Sequence, residues 1–251
     1  MSTILPSMTD LHLLAPEEYR SATLAWVQTI EQPAPTAYTV FEVNGSQLTG
    51  VSFPMAAIIS LLSTVRVHYI EARFLVIPSK TGGNDQFSIA LYAADVNRVR
   101  ISAYFQAYSW WTTPITEVID VSAMATDQAP YALVNAWTDA WARVLPKDLK
   151  SDMFTTSFGT LEGYTFKADD FLQTLFDARD MSGMDVRIDL ALHEYYPAMV
   201  EAKNTSLQQT FGLVLRLSIP QTTASSSTES RIVAVATSPF FDLSTPCPPG
   251  T

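Results

Sequence analysis

Three histidines, His12, His68 and His193, are the side chains best suited to moving a proton near neutral pH, since an unperturbed imidazole titrates near roughly 6.5. They are too few and too scattered along the chain to spell a metal site. His193-Glu194, beside Tyr195 and Tyr196, has the composition of an acid–base pair, but a polar strand end facing solvent or a neighbour explains it more simply. Asp169-Asp170 is the best local carboxylate pair, and its place at the start of a helix accounts for it without a cation. From Asp127 to Glu201 the chain carries 13 acids and 6 bases, the composition from which calcium sites are built, yet no ligand spacing stands out. Trp110-Trp111, with Tyr104, Phe105 and Tyr108, forms the densest aromatic stretch. Such rings stack on sugars or bases, and more commonly pack in cores or interfaces.

Catalytic signatures are missing. The chain has no Gly-x-Ser-x-Gly, no His-Glu-x-x-His, no phosphate loop and no Gly-x-Gly-x-x-Gly. Lys80-Thr81 lacks the upstream glycines of a phosphate cradle and reads as an ordinary loop. The expectation is no enzyme, no cofactor and no metal.

The elements that would position these residues are mostly strands. Residues 1–37 read as an irregular arm with one short helix: Pro16 suits a first turn, Glu17 and Glu18 favour the positive end of the dipole, and Ala22 to Ile30 continue it. Tyr38 to Val43 is β-branched and aromatic, Asn44-Gly45 is a strong turn pair, and Gln47 to Phe53 is the expected partner. Pro54 opens a helix with Ala56, Ile59, Leu62 and Ser63 on one side. Strands are then expected at 69–77, 87–93, 99–105, 115–121 and 186–192. A helix is expected over Tyr131 to Ala142, with Leu133, Val134, Trp137 and Trp141 as its stripe, and another begins at Ala168-Asp169-Asp170. Phe211–Ile219 and Arg231–Thr237, joined by a polar Ser/Thr loop, form the strongest hairpin signal. Strands at this spacing without βαβ alternation indicate a sandwich, a barrel or a jelly roll.

Composition bounds the partners. Apolar residues make up 47% of 251 residues and charged ones only 16%, below the usual quarter, so part of the apolar surface is expected to be covered by other chains, although a plain, well-buried core accounts for the composition almost as easily. A net charge of −10, with Arg20 the only base before Arg66, excludes phosphate binding by the surface as a whole. The single cysteine, Cys247, makes no intrachain disulfide. No charged n-region with an apolar h-region and no apolar run near the roughly 18 residues of a membrane span appears, so the expectation is a soluble, intracellular protein.

Four features in order along the chain carry a resemblance. Gln47–Phe53 leads into the helix end Ser60–His68; the strand Tyr69–Pro78 closes on a proline and a loop; Phe87–Tyr92 follows; and Leu213–Pro220 with Ile232–Ala236 finishes in Thr237-Ser-Pro-Phe240. Together they resemble the coat proteins of tymovirus-type icosahedral RNA viruses, over residues 38–105 and 211–245. The resemblance implies an all-β, eight-stranded jelly-roll sandwich at 38–239, an N-terminal arm at 1–37 and a flexible tail at 240–251. It implies self-assembly of many copies into a virion shell around an RNA genome in the host cytoplasm, with polyamine counterions in place of a basic arm. It carries His68 over as an RNA or pH contact, assisted by Arg66 and Arg73. Residues 126–185 have no counterpart and read as a helical insertion or projection. The rival readings are a carbohydrate-binding or glycan-processing β-sandwich using Trp110, Trp111 and paired acids, and an RNA-acting enzyme. The latter rests on a loose echo of ribosome-inactivating proteins in Phe211–Pro220; their Glu-x-x-Arg spacing occurs here only at Glu17 and Arg20, in the N-terminal arm.

Overall fold

Two apolar runs, Tyr69–Ile77 and Gln86–Ala94, pair antiparallel along their full length and set the frame on which the rest is built. The computed structural model describes residues 11–32, 36–43, 45–79, 83–112, 131–156, 159–169, 171–172, 185–195, 208–218 and 245–246. In chain order the first elements are β1 (Leu13–Leu14), α1 (Pro16–Ile30), a 3-10 turn (Thr36–Phe41), β2 (Glu42–Val43), β3 (Ser46–Gln47), β4 (Gly50–Pro54) and α2 (Met55–Leu62). Then come β5 (Tyr69–Ile77), β6 (Gln86–Ala94), β7 (Tyr104–Gln106), β8 (Ser109–Trp111) and α3 (Tyr131–Arg143). The last are β9 (Thr155–Thr156), β10 (Gly159–Thr160), β11 (Gly163–Lys167), β12 (Asp185–Tyr195), β13 (Gln208–Ser218) and β14 (Thr245–Pro246).

Six strands form one sheet in the order β1-β7-β6-β5-β11-β14, and four form a second in the order β13-β12-β4-β8. Two-stranded ribbons, β2-β3 and β9-β10, stand apart. The inner faces meet through alternate residues: Phe74, Val76, Phe87 and Ile89 on one side, Val51, Phe53, Ile188 and Phe211 on the other, in one buried cluster. Phe211 closes the gap, its ring 5.4 Å from Phe74. The protein is therefore an all-β sandwich with a few helices. Strands β5, β6 and β7 follow one another and β11 returns to lie beside β5, which is Greek-key order. Among the described residues the two main sheets hold six and four strands, with the two ribbons besides, which does not reproduce the expected eight.

Helices cover the outer faces. Pro16 and the two acids start α1 as expected, and the Glu18 carboxylate accepts the Ala15 N–H at 3.0 Å. The segment expected as an arm is docked from there on: Ala22 packs with Leu75 and Ala90, and Trp26 is fully buried with its indole N–H donating to Leu161 O. Helix α3 lies over β12, where Val134 packs with Ala191 and Val214.

Several expectations change. Tyr38 to Phe41 coils as a 3-10 turn instead of a strand, and Tyr38, Val40 and Phe41 all bury. In α2 the buried face is Met55, Ala57, Ile58 and Leu61, one position out of phase with the stripe read from sequence, and Ile59 is exposed. The strand expected at 99–105 shrinks to β7, since the Asp95 carboxylate accepts the N–H groups of Asn97 and Val99 and holds a turn there. Within 126–185, α3 is the expected helix, but β11 sits inside the six-stranded sheet beside β5, so this part of the segment is integral to the fold. Gly163 fits that edge because a Cβ on it would lie 2.1 Å from Ala72 O. Among the described residues β13 pairs with β12 over eleven residues; the strands expected at 115–121 and 231–237, the second of them the other half of the expected hairpin, lie outside the described residues. In the segment expected as a flexible tail, β14 pairs with β11.

Candidate interaction surface

Arg66 and His68 stand at one end of the six-stranded sheet, in the turn between α2 and β5. Helix α2 stops at Leu62, and Arg66 takes a φ of +69°, a left-handed conformation that non-glycine residues seldom adopt. That bend delivers the chain to Tyr69 in register with Ala94. The His68 N–H donates to Ala94 O at 2.9 Å, and its own carbonyl accepts the Ala168 N–H at 3.0 Å. Its imidazole is exposed and stands edge-on to Tyr69.

The β6–β7 turn leaves the sheet at this same end. Asp95 organises it through the two N–H groups already named, and Arg98 reaches a φ of +61°. As a result the two turns present Val65, Val96 and Val99 to solvent at 82%, 63% and 59% exposure. Arg66, His68 and Lys167 are exposed around them, with Asp169 bringing one carboxylate to the same end. Arg98 and Arg100 serve the turn itself. Arg98 donates to Thr165 Oγ1 at 2.8 Å and lies 5.0 Å over the Tyr69 ring; Arg100 lies 4.5 Å over Tyr104. An apolar rim with basic side chains around it can bury its valines against another protein while its cations meet a phosphate or carboxylate at the edge.

Arg73 is elsewhere. It projects from β5 under α1, only 4% exposed, 3.9 Å from Glu71 and 3.7 Å from Glu162. Thr165 donates to Glu71 at 2.8 Å, completing a buried polar set. Tyr19 and Tyr92 roof it, and burial pushes both phenols above their ordinary range. Arg73 therefore faces carboxylates within the protein, and the structure groups Arg66 and His68 without it.

The other chemistry-bearing residues also separate. His193 stacks on Trp137 with centroids 4.2 Å apart, and burial pulls its pKa down to about 4. Gly212 is the floor beneath it: a Cβ there would lie 2.5 Å from the imidazole Nε2. Glu194 follows on the opposite face of the strand, exposed, and accepts from Gln209, so the two do not act as a pair. Trp111 carries the Arg187 guanidinium 4.6 Å over its ring and donates to Ser52, whereas Trp110 donates to Phe87 O and lines a cleft. Asp169 is exposed; Asp170, Lys80, Thr81 and Cys247 lie outside the described residues.

Sequence reasoning missed the most deeply buried charge set among the described residues. Asp189 joins Arg187 and Arg216 at 2.5 Å each on the outer face of the four-stranded sheet. Its signal was present in β12, where Asp185, Arg187 and Asp189 alternate with Val186, Ile188 and Leu190, so that both faces are read at period two. Among the described residues no group of three or more His, Cys, Asp or Glu is placed to hold a metal ion, and no helix is long and apolar enough to cross a membrane. Compared with known proteins, the chain matches no family model, and neither its sequence nor its fold finds a significant counterpart among curated proteins or solved structures.

Proposed function

We propose that this protein is a viral coat subunit that self-assembles into an icosahedral shell around an RNA genome, mainly through protein–protein contacts, and that it is not an enzyme. The observation that carries the reading is the rim formed by Val65, Val96 and Val99, which stay exposed in the isolated subunit of a chain with few charges to cover it. Covering a valine is worth about 1.5–3 kcal/mol, and repetition around a closed shell multiplies a modest contact into a stable one. Heterologous contacts that close on symmetry axes give a finite shell.

The finer reading of the sandwich is a jelly roll, two Greek keys folded face to face, and the β11-β5-β6-β7 order supplies one of them. Arg66 and His68 at the rim would meet RNA phosphate, and polyamines would neutralise the rest, because a chain of net charge −10 brings few cations of its own. Assembly takes place in the host cytoplasm and the product is the virion.

Negative-stain electron microscopy of the purified protein, with size-exclusion chromatography, tests this. Uniform spherical particles are expected, and Val65→Asp with Val99→Asp should leave folded subunits that no longer assemble. A clean monomer across pH and salt would overturn it.

A further inference from the structure

At the closed end of the β5–β6 hairpin, strands β7 and β8 and the β2–β3 ribbon enclose a cleft of about 680 Å3. This lies within the usual range for small-molecule sites, roughly 300–1,000 Å3. Its chemistry comes from Glu42, Asn84, Gln86, Gln106, His12 and the indole of Trp110, with Ile77 as an apolar wall. Two of these walls are fixed by their own hydrogen bonds. The Trp110 N–H donates to Phe87 O at 3.0 Å, which holds the ring in place, and the Gln106 N–H donates to His12 O at 2.7 Å, which ties β7 to the segment before β1.

Among the described lining residues there is one carboxylate and neither lysine nor arginine. Among the described lining residues a phosphate, a sulfate or an acidic sugar would meet no fixed positive charge and one negative one. Three side-chain amides each offer a donor and an acceptor, which is the pattern that neighbouring hydroxyls of a sugar ring answer. Glu42 adds a strong acceptor, and an indole gives the C–H face of a sugar an apolar surface to rest on. Hydrolysis of a glycosidic bond uses two carboxylates flanking the bond, and Glu42 is the single one among the described lining residues. We propose that this cleft is a binding site for a neutral glycan, recognised by its hydroxyls and held without cleavage. The site does not depend on shell assembly, and its test reads something else.

The experiment is saturation-transfer NMR of the full chain against lactose, maltose, cellobiose and chitobiose, with sialyllactose as the charged control. At least one neutral disaccharide should bind saturably and more tightly than sialyllactose. Glu42→Ala and Gln106→Ala should each weaken it by about tenfold, a change of roughly 1.4 kcal/mol. Asn84→Ala, at an exposed position, serves as a third variant that leaves packing alone. The proposal fails if none of the four sugars saturates. It fails equally if sialyllactose binds best, or if binding survives all three substitutions in protein whose circular dichroism is unchanged.

Discussion

On the outer face of the six-stranded sheet Arg73 lies between two carboxylates, Glu71 and Glu162, while on the outer face of the four-stranded sheet Asp189 lies between two guanidiniums, Arg187 and Arg216. A helix covers part of each face, α1 over the first and α3 over the second. The first set has relief close by: Glu162 is 28% exposed, and Glu71 also receives Arg98 and the Thr165 hydroxyl. The second is more deeply enclosed, with Arg187 fully buried and Trp111 against its guanidinium. A buried charge network is therefore not one kind of object. What matters is how many charges stay buried when one member is removed, and how many of them can reach water.

The largest effect should follow from Asp189→Asn. It leaves two buried guanidiniums facing a neutral amide, and breaking a buried pair in this way costs about 3–5 kcal/mol. Arg73→Met should cost less, about 1–3 kcal/mol, the penalty of one under-satisfied buried group. Urea unfolding followed by tryptophan fluorescence measures both, and a larger loss for Arg73→Met would break the comparison.

Next in size is the response to acid, which belongs to the second face. His193 titrates at about 4 in the folded protein against 6.5 for an ordinary imidazole, so the unfolded chain binds the extra proton first. Its contribution is intact above pH 6.5 and is lost as pH falls from there to about 4, by roughly 3 kcal/mol at most. The Trp137 stack and the Gly212 floor leave little room for a solvated imidazolium. His193→Leu should flatten that window when stability is measured against pH. The first face responds at the other extreme. Tyr19 and Tyr92 are held protonated by burial, so their contribution is present below pH ~10, where free phenols ionise, and is lost as pH rises above it.

The sequence made the frame legible where hydrophobicity and local propensity agree. Strand β5 lies where β-branched and aromatic residues run between a helix end and Pro78, and α3 where Val134, Trp137 and Trp141 keep helical spacing. It misled where a third element decided the outcome. Tyr38 to Phe41 has strand composition but coils so that Trp26 and Phe154 can pack on Phe41. Gly163–Lys167 is a five-residue run inside a stretch that otherwise reads as helical, and only its pairing with β5 shows it to be a strand. At the candidate surface Arg66 and His68 were placed by the helix-to-strand junction, which is local. Val96 and Val99 joined them because the β6–β7 turn ends at the same edge, and sequence separation hid that. Arg73 was grouped with them by nearness in sequence, although alternation along β5 and the cover of α1 turn it into the protein.

The smallest effect should separate the two arginines most cleanly. Arg66→Gly removes a left-handed non-glycine residue from a turn, which relieves strain, and it adds backbone freedom to the unfolded chain, which opposes that gain. The two terms are of similar size, and an exposed side chain adds little else, so folding stability should move by no more than about 0.5–1 kcal/mol. Arg73→Met, seven residues on, should cost clearly more under the same urea protocol. If Arg66→Gly instead unfolds the protein, the rim is held by that guanidinium, and the division between a load carried on the buried faces and a surface left for partners fails. If it folds normally while particles still form with less RNA inside, the valines assemble the shell and the arginine meets the genome. Normal folding with normal particles and unchanged RNA content would leave His68 as the remaining candidate for the genome contact, to be tested by the RNA content of particles formed by His68→Ala.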